Sequence, residues 1–235
     1  MPRFRTPVRA IAALALAAVA ATLAACGGGS SEFADEPSGK FPVTVTKSSF
    51  PNRQHISQRT DLVLGLKNPG NKTVPDLAIT IWTGETKANG SFNIRLDNPA
   101  LANPSRPVWI LENKYPKLLG NGVTLDNVEK APSAGAETAL TDTYSFGPLK
   151  PGKSKVIDWR VTPAQTGTYT VHYVVAAGLG GKAKAVTAAG GPVKGEFVVT
   201  IGSKPPQTCV LPNGKVVTGK CQLSGGGTTA GSGGQ

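Results

Sequence analysis

The 235-residue sequence predicts an all-β protein built as an antiparallel β-sandwich. Short apolar runs alternate with polar residues at the two-residue period of strands. Turn residues separate these runs, and the chain contains 29 glycines and 19 prolines to supply them. No segment shows a convincing amphipathic helical pattern. Many short strands without intervening helices favour an antiparallel sandwich over alternating βα units.

Residues 1–25 combine a positively charged start with an uncharged apolar run. Arg3, Arg5 and Arg9 precede residues 11–25, which contain no charged residue. This is the layout of a secretory signal peptide. The alternative, a membrane-spanning helix, needs about 20 strongly apolar residues, whereas this run is shorter and mostly alanine. We therefore predict that residues 1–25 are a signal peptide.

The apolar run ends in Leu23-Ala24-Ala25-Cys26, followed by Gly-Gly-Gly-Ser-Ser. In this position the four residues resemble the lipobox of bacterial lipoproteins. The resemblance implies a lipid on the Cys26 thiol, cleavage before Cys26, and an extracytoplasmic protein anchored to the cell membrane. Residues 26–39 are then a flexible tether. The alternative is an ordinary secreted protein with an incidental cysteine.

The charge of the mature chain bears on its partners. The formal charge of +11 includes three signal-peptide arginines, so the mature chain has 22 basic and 14 acidic residues, a net +8. For an exported protein, anionic lipid headgroups or acidic wall polymers are the expected anionic partners, and nucleic acid is not expected. The alternative is that dispersed lysines only keep the domain soluble.

The sandwich is predicted to span residues 40–203. In its first half, Leu62, Leu64 and Leu66 alternate with other residues, as in a half-buried strand. Residues 68–71 (Asn-Pro-Gly-Asn) predict a type II turn, and a second strand follows. Its inward face comprises Leu77, Ile79 and Ile81.

The second half contains three more alternating runs. Asp158 and Arg160 lie on the polar face of the first run, and His172 lies on the polar face of the second. The apolar faces comprise Ile157, Trp159 and Val161 in the first run, Tyr169, Val171, Tyr173 and Val175 in the second, and Phe197, Val199 and Ile201 in the third.

Two segments resemble CARDB-type and related immunoglobulin-like domains of bacterial and archaeal surfaces. They are KNPGNKTVPDLAITI (residues 67–81) and GPLKPGKSKVIDWRVTPAQTGTYTVHYVV (residues 147–175), about half of the mature chain. The resemblance implies an immunoglobulin-like sandwich with an adhesive or spacing role and no shared catalytic residues. Gly167-x-Tyr169-x-Val171 also resembles a tyrosine corner, although Gln165 and Val171 stand where antibody domains carry Asp and Cys.

Residues 83–142 form a Pro- and Asn-rich excursion from that pattern, with expected strands in SFNIRL and VWILE. Long loops on a rigid scaffold often carry function. Arg106, Trp109 and Tyr115 are therefore the predicted contact residues. The alternative is that Trp109 and Ile110 fold back to cover the end of the sandwich.

The C-terminal region, residues 204–223, predicts a small hairpin. Asn213-Gly214 between apolar residues is typical of a type I′ turn. Cys209 and Cys221 are an even pair in an oxidising compartment, which favours a disulfide between them. A zinc site is disfavoured because neither histidine lies near the pair in sequence. Residues 224–235 predict a disordered tail.

Motifs for catalysis are missing from the sequence. G-x-S-x-G is absent, and Gly178–Ala183 departs from a phosphate-binding loop because Ala176 and Ala183 replace required residues. We expect that segment to be a loop between two late strands. No catalytic residue, metal ligand or cofactor is predicted, and a hydrolase subunit is disfavoured. The predicted function is a non-catalytic adhesion, interaction or spacing role in the cell envelope, bound to an envelope protein or wall polymer. The alternative is a ligand- or glycan-binding accessory lipoprotein.

Overall fold

The computed structural model describes residues 33–84, 92–94, 107–112, 115–130, 137–140, 142–205, 207–211 and 213–218. These residues form β-strands and a 3-10 helical turn at Val128–Lys130. In chain order the strands are β1 (Gly39–Pro42), β2 (Thr44–Ser49), β3 (Arg53–His55), β4 (Thr60–Lys67), β5 (Ala78–Thr83), β6 (Phe92–Ile94), β7 (Trp109–Leu111), β8 (Lys117–Leu119), β9 (Glu137–Leu140), β10 (Thr143–Ser145), β11 (Ser154–Pro163), β12 (Gly167–Ala176), β13 (Ala183–Val186), β14 (Val193–Gly202), β15 (Thr208–Val210) and β16 (Val216–Thr218).

Most strands belong to two six-stranded sheets. Sheet 1 has the order β2-β4-β11-β7-β6, with β8 also paired to β11. Sheet 2 has the order β3-β14-β12-β5-β10-β9. Two small sheets, β1-β13 and β15-β16, complete the described strands. The all-β prediction is therefore confirmed, as are the inserted excursion and the C-terminal hairpin.

The strand order is that of an immunoglobulin-like sandwich. Strands β2, β4 and β11 take the places of A, B and E, while β5, β12 and β14 take those of C, F and G. Strands β7 and β8 pair with opposite ends of β11 and together occupy the place of D. Strands β6 and β7 confirm the strands expected in SFNIRL and VWILE.

The core lies between the two sheets. The leucines of β4 and Ile79 and Ile81 of β5 are fully buried, as the alternation predicts. Aromatic rings from opposite sheets contact each other. The centroids of Tyr144 in β10 and Trp159 in β11 are 6.0 Å apart in an edge-to-face arrangement. The two sheets therefore pack face to face through their predicted apolar faces.

A tyrosine corner closes the turn before β12. The hydroxyl of Tyr169 donates to the carbonyl of Thr166 at 2.9 Å, which is the hydrogen bond that defines this motif. Gly167 has φ +142°, and a Cβ there would lie 3.1 Å from the Tyr169 ring. Gly167 is thus needed for the Tyr169 ring to fold back over the turn.

Two predicted turn types are wrong. Gly70 does not have the positive φ that a type II turn needs. Instead, its N–H donates to the Asn68 side chain at 2.9 Å, forming an Asx-turn. In the C-terminal hairpin only Gly214 (φ +78°), and not Asn213, has the positive φ that type I′ requires at both positions.

Contacts with the sandwich begin before its predicted first residue, Lys40. Glu36 already hydrogen-bonds to the backbone of Ala183 at 2.7 Å, and β1 starts at Gly39 and pairs in parallel with β13. The last residues of the predicted tether, Glu36 to Gly39, therefore contact the domain. Gly178–Ala183 forms the predicted loop between two late strands, β12 and β13.

Candidate functional site

The candidate site is a row of side chains on the outer face of sheet 2. Alternation turns Ile81, Tyr173 and Phe197 towards the core, so their neighbours in sequence point outwards. The register pairs His172 with Trp82 on one side and with Glu196 on the other. Three chemically different side chains thus lie next to one another across β5, β12 and β14.

The three side chains of this row interact with one another. The rings of Trp82 and His172 stack with centroids 5.3 Å apart and an interplanar angle of 28°. Nδ1 of His172 lies 3.5 Å from Oε2 of Glu196, and the side chains are 31% and 64% exposed. The imidazole therefore joins an aromatic surface to a carboxylate that remains largely in solvent.

The row lines an open groove of about 410 Å³, which we call the Trp82 groove. Lys194 and Val174 extend the lining along the same strands. Beneath it, the buried ring of Tyr173 packs against Gly195, where a Cβ would lie 2.5 Å from the tyrosine oxygen. The backbone of β14 therefore lies directly against the core at the floor of the groove, where there is no room for a larger side chain.

The chemistry of the Trp82 groove suits binding. An aromatic face takes apolar groups or the flat face of a sugar, while a carboxylate and an ammonium group accept and donate hydrogen bonds. Small-molecule sites commonly combine an apolar surface with a few polar groups in this way. The described residues contain no group of three or more His, Cys, Asp or Glu side chains that could hold a metal ion.

The prediction that Trp109 is an exposed contact residue is wrong. Its side chain is fully buried, and Nε1 donates to Oε1 of the buried Gln54 at 2.8 Å. Its ring packs against Phe50, Phe92 and Tyr169 at centroid distances of 5.5 to 5.7 Å. The residue therefore lies in the core, as in the alternative, because β7 pairs with β11 on one side and with β6 on the other and turns the indole inwards.

The other predicted site residues have different outcomes. Tyr115 is partly buried and packs against the hydrophobic core, so its contact role stays a prediction. Arg106, Cys26 and Cys221 lie outside the described residues. Cys209 lies in β15, and its disulfide with Cys221 also stays a prediction.

Trp82 could have been found from the sequence. The alternation that directs Leu77, Ile79 and Ile81 inwards leaves Trp82 on the opposite face of the same strand. A tryptophan on the polar face of a strand is a signal for a contact surface, because large aromatic residues gain most from burial. The partners of Trp82 could not be found in this way, because they come from strands about 90 and 114 residues later in the chain.

A charged cluster lies on the outer face of sheet 1. Arg160 is 7% exposed, and its guanidinium donates to Asp61 at 2.8 Å and to the carbonyl of Leu125 at 2.5 Å. Asp158 on the same strand face is fully buried. The loop that contains Leu125 and Glu129 thus covers a strand face that the sequence predicts to be polar, and Arg160 holds that loop by contacts with both residues.

A second hollow of about 510 Å³ lies near Gly120 and Asn121. Its cation is Lys155, whose Nζ donates to the carbonyls of Phe146 and Gly147. Burial lowers the pKa of Lys155, and the charge of Asp76 partly opposes this. The ammonium group is already bound to the backbone, and the residues that line this hollow include no aromatic side chain, so it lacks the stacking surface of the Trp82 groove.

Comparison with known proteins gives fold likeness only. No protein-family model matches the sequence, and no curated protein matches it. The CARDB domain of a Pyrococcus furiosus protein, solved in complex with di-metal ions, is similar at 15% identity and a TM-score of 0.38, over 72% of this chain and all of that domain. A cohesin module from a Clostridium perfringens glycoside hydrolase is similar at 9% identity and a TM-score of 0.32, over 70% of this chain and 98% of the module.

A third similar structure belongs to a much longer protein, and the match covers only a small part of that protein. Salmonella alpha-2-macroglobulin is similar at 12% identity and a TM-score of 0.34, and the match covers 72% of this chain but 7% of that one.

In the described part of the chain, no helix is long and apolar enough to cross a membrane.

Proposed function

We propose that this chain is a non-catalytic binding protein of the bacterial cell envelope, anchored by a lipid on Cys26, and that its contact surface is the Trp82 groove. The observation that carries the proposal is the row of Trp82, His172 and Glu196 across three neighbouring strands. We interpret the sandwich as a CARDB-type domain, and this interpretation rests on the sequence segments quoted above.

The position of the row supports a binding role. It lies on a six-stranded sheet whose inner face is fixed by the core, so the side chains are held by regular backbone pairing rather than by a loop. Val198, which is 56% exposed, lies further along the same face of β14. Aromatic residues at the centre of such a surface commonly contribute most of the binding energy.

Photo-crosslinking in cells of the native host tests this proposal. A photoreactive residue at Val174 would lie in the Trp82 groove without replacing a member of the row, and one at Lys67 on the other sheet is the matched control. We expect a discrete crosslinked envelope component from position 174, lost in a Trp82→Ala variant and absent from position 67. Equal products from both positions would rule out the groove as the contact surface.

The anchor needs its own test. Cys26→Ser removes the thiol, and we expect the variant to lose labelling by a fatty-acid probe and to leave the membrane fraction. A wild-type protein that is found in the membrane fraction but is not labelled by the probe would contradict the lipid anchor without affecting the groove.

Glycan binding is the second candidate, and the stacked Trp82 and His172 rings favour it. Trp109 and Trp159 are fully buried, so ligand-dependent changes in tryptophan fluorescence report mainly on Trp82. We expect soluble wall-glycan fragments to shift the emission and protect it from acrylamide quenching. Because both variants lack the fluorescent reporter, calorimetry measures their affinities. Trp82→Phe should retain most of the affinity and Trp82→Ala should lose about tenfold or more. A flat titration over a broad panel of fragments would leave a protein partner as the ligand.

A further inference from the structure

The loop between β12 and β13 surrounds a carboxylate. The side chain of Glu36, which lies just before β1, reaches into this loop. Its Oε1 accepts the N–H of Ala183 at 2.7 Å, and its Oε2 accepts the N–H of Gly180. Backbone N–H groups of Lys182 and Leu179 also contribute hydrogen bonds to the carboxylate. Several N–H groups that converge on one point form an anion-binding nest.

The glycines of the loop are matched to this occupant. A Cβ at Gly178 would lie 2.5 Å from the carboxylate carbon and from Oε2 of Glu36, so any larger residue would fill the nest. Gly181 has φ +78°, a backbone conformation that favours glycine. The backbone therefore leaves a cavity the size of an oxyanion group.

Glu36 binds in its charged form. Burial opposes ionisation of the carboxyl, but the backbone hydrogen bonds from Ala183, Gly180, Lys182 and Leu179 outweigh it, and the pKa of Glu36 is lowered. The nest consequently selects a negative charge, and it supplies hydrogen bonds from the backbone, as phosphate-binding loops do.

The occupant sits on a peripheral part of the fold. Strand β1 pairs with β13 in a separate two-stranded sheet, and Phe41 is the buried residue among its four. Release of Glu36 and the residues up to Lys40 would leave both six-stranded sheets and their core intact. Glu36 can therefore leave the nest without unfolding the sandwich.

We propose that the Gly178–Ala183 loop is an oxyanion-binding site for a phosphate group, which Glu36 occupies as an internal competitor. The mature chain is basic, which favours the approach of anions. A phosphate group presents oxygens to the same N–H groups that now hold the carboxylate. Its source is either free phosphate or the headgroup of an anionic phospholipid, and the experiment below separates these two. The proposal does not depend on the Trp82 groove.

Titration of the full chain with inorganic phosphate, followed by amide NMR, tests the site. Glu36→Ala empties the nest, and we expect phosphate to shift the amide signals of Gly180 and Ala183. The wild type should bind about tenfold more weakly or worse, because the competent state is rarely populated while Glu36 occupies the site. Glu36→Gln keeps the side-chain length without the charge and should give an intermediate affinity.

A double variant and two kinds of vesicle complete the design. Adding Gly178→Ala to Glu36→Ala fills the nest and should abolish the phosphate-dependent shifts. The vesicle experiment compares vesicles that contain phosphatidylglycerol with vesicles of phosphatidylcholine alone. If the source is a lipid headgroup, the phosphatidylglycerol vesicles should recruit Glu36→Ala more than the double variant. If the source is free phosphate, they should recruit the two variants equally. The proposal is overturned if folded Glu36→Ala or Glu36→Gln shows no phosphate-dependent shift at Gly180 and Ala183, or if the wild type binds as tightly as either variant.

Discussion

Asp158 is the residue from which the pH dependence of stability can be worked out. It is fully buried beside the carboxylate of Asp61, to which its protonated form donates a hydrogen bond. Burial raises its pKa from 3.8 to about 7, the negative charge of Asp61 adds to this, and Arg160 and Lys47 oppose it. The folded protein therefore keeps Asp158 protonated at a pH where the unfolded chain does not.

The sign and size of the effect follow from linkage. Between pH 4 and pH 7 the folded state binds more protons at this position than the unfolded state, so the free energy of unfolding decreases as the pH rises. A pKa of 3.8 in the unfolded chain and of about 7 in the folded one predicts that the free energy of unfolding falls by about 2–3 kcal/mol between pH 5 and pH 8.

Asp158→Asn tests this reasoning. The amide has the shape of the protonated acid but does not ionise, so we expect the stability of this variant relative to the wild type to grow by about 2–3 kcal/mol from pH 5 to pH 8. Urea unfolding at the two pH values measures the difference. Asp126→Asn, at an exposed position in the loop over the same sheet, is the control and should follow the wild type. Parallel pH profiles for Asp158→Asn and the wild type would refute the raised pKa.

Three further substitutions test the packing of the sandwich by urea unfolding. Gln54→Ala leaves the buried N–H of Trp109 without its acceptor and should cost about 1–3 kcal/mol; an unchanged midpoint would contradict the importance of this bond. Tyr169→Phe removes the corner hydrogen bond and should cost about 1 kcal/mol, and a neutral result would mean that solvent replaces it. Gly195→Ala places a Cβ 2.5 Å from the hydroxyl oxygen of Tyr173 and should cost about 1–3 kcal/mol through overpacking; a more stable variant would show that the ring has room to move.

The two faces of β11 differ in how far the sequence could predict them. Alternation correctly directs Ile157, Trp159 and Val161 to the core, because it depends only on the pleat of one strand. It also predicts Asp158 and Arg160 on the outer face, but not that a loop about 35 residues away in sequence covers them. Coverage by a distant segment has no local pattern, so buried charges there were beyond sequence reasoning.

The turns show a similar limit at short range. Asn68-Pro69-Gly70-Asn71 was correctly predicted to be a turn, because proline and glycine rarely occur within strands. Its type was wrong because the Asn68 side chain also donates to the carbonyl of Leu149, 81 residues later, at 2.8 Å. A tertiary contact therefore decided the local backbone conformation.

The sequence by itself determined the fold class, the inward faces of the strands and the position of the tyrosine corner, because each depends on neighbours within a few residues. Only the tertiary structure decided that Trp109 is buried, that Trp82 meets His172 and Glu196, and that Glu36 occupies the Gly178–Ala183 loop. Each of these depends on the pairing of strands or segments far apart in the chain. That pairing is set by how the whole core closes, and no local pattern encodes it.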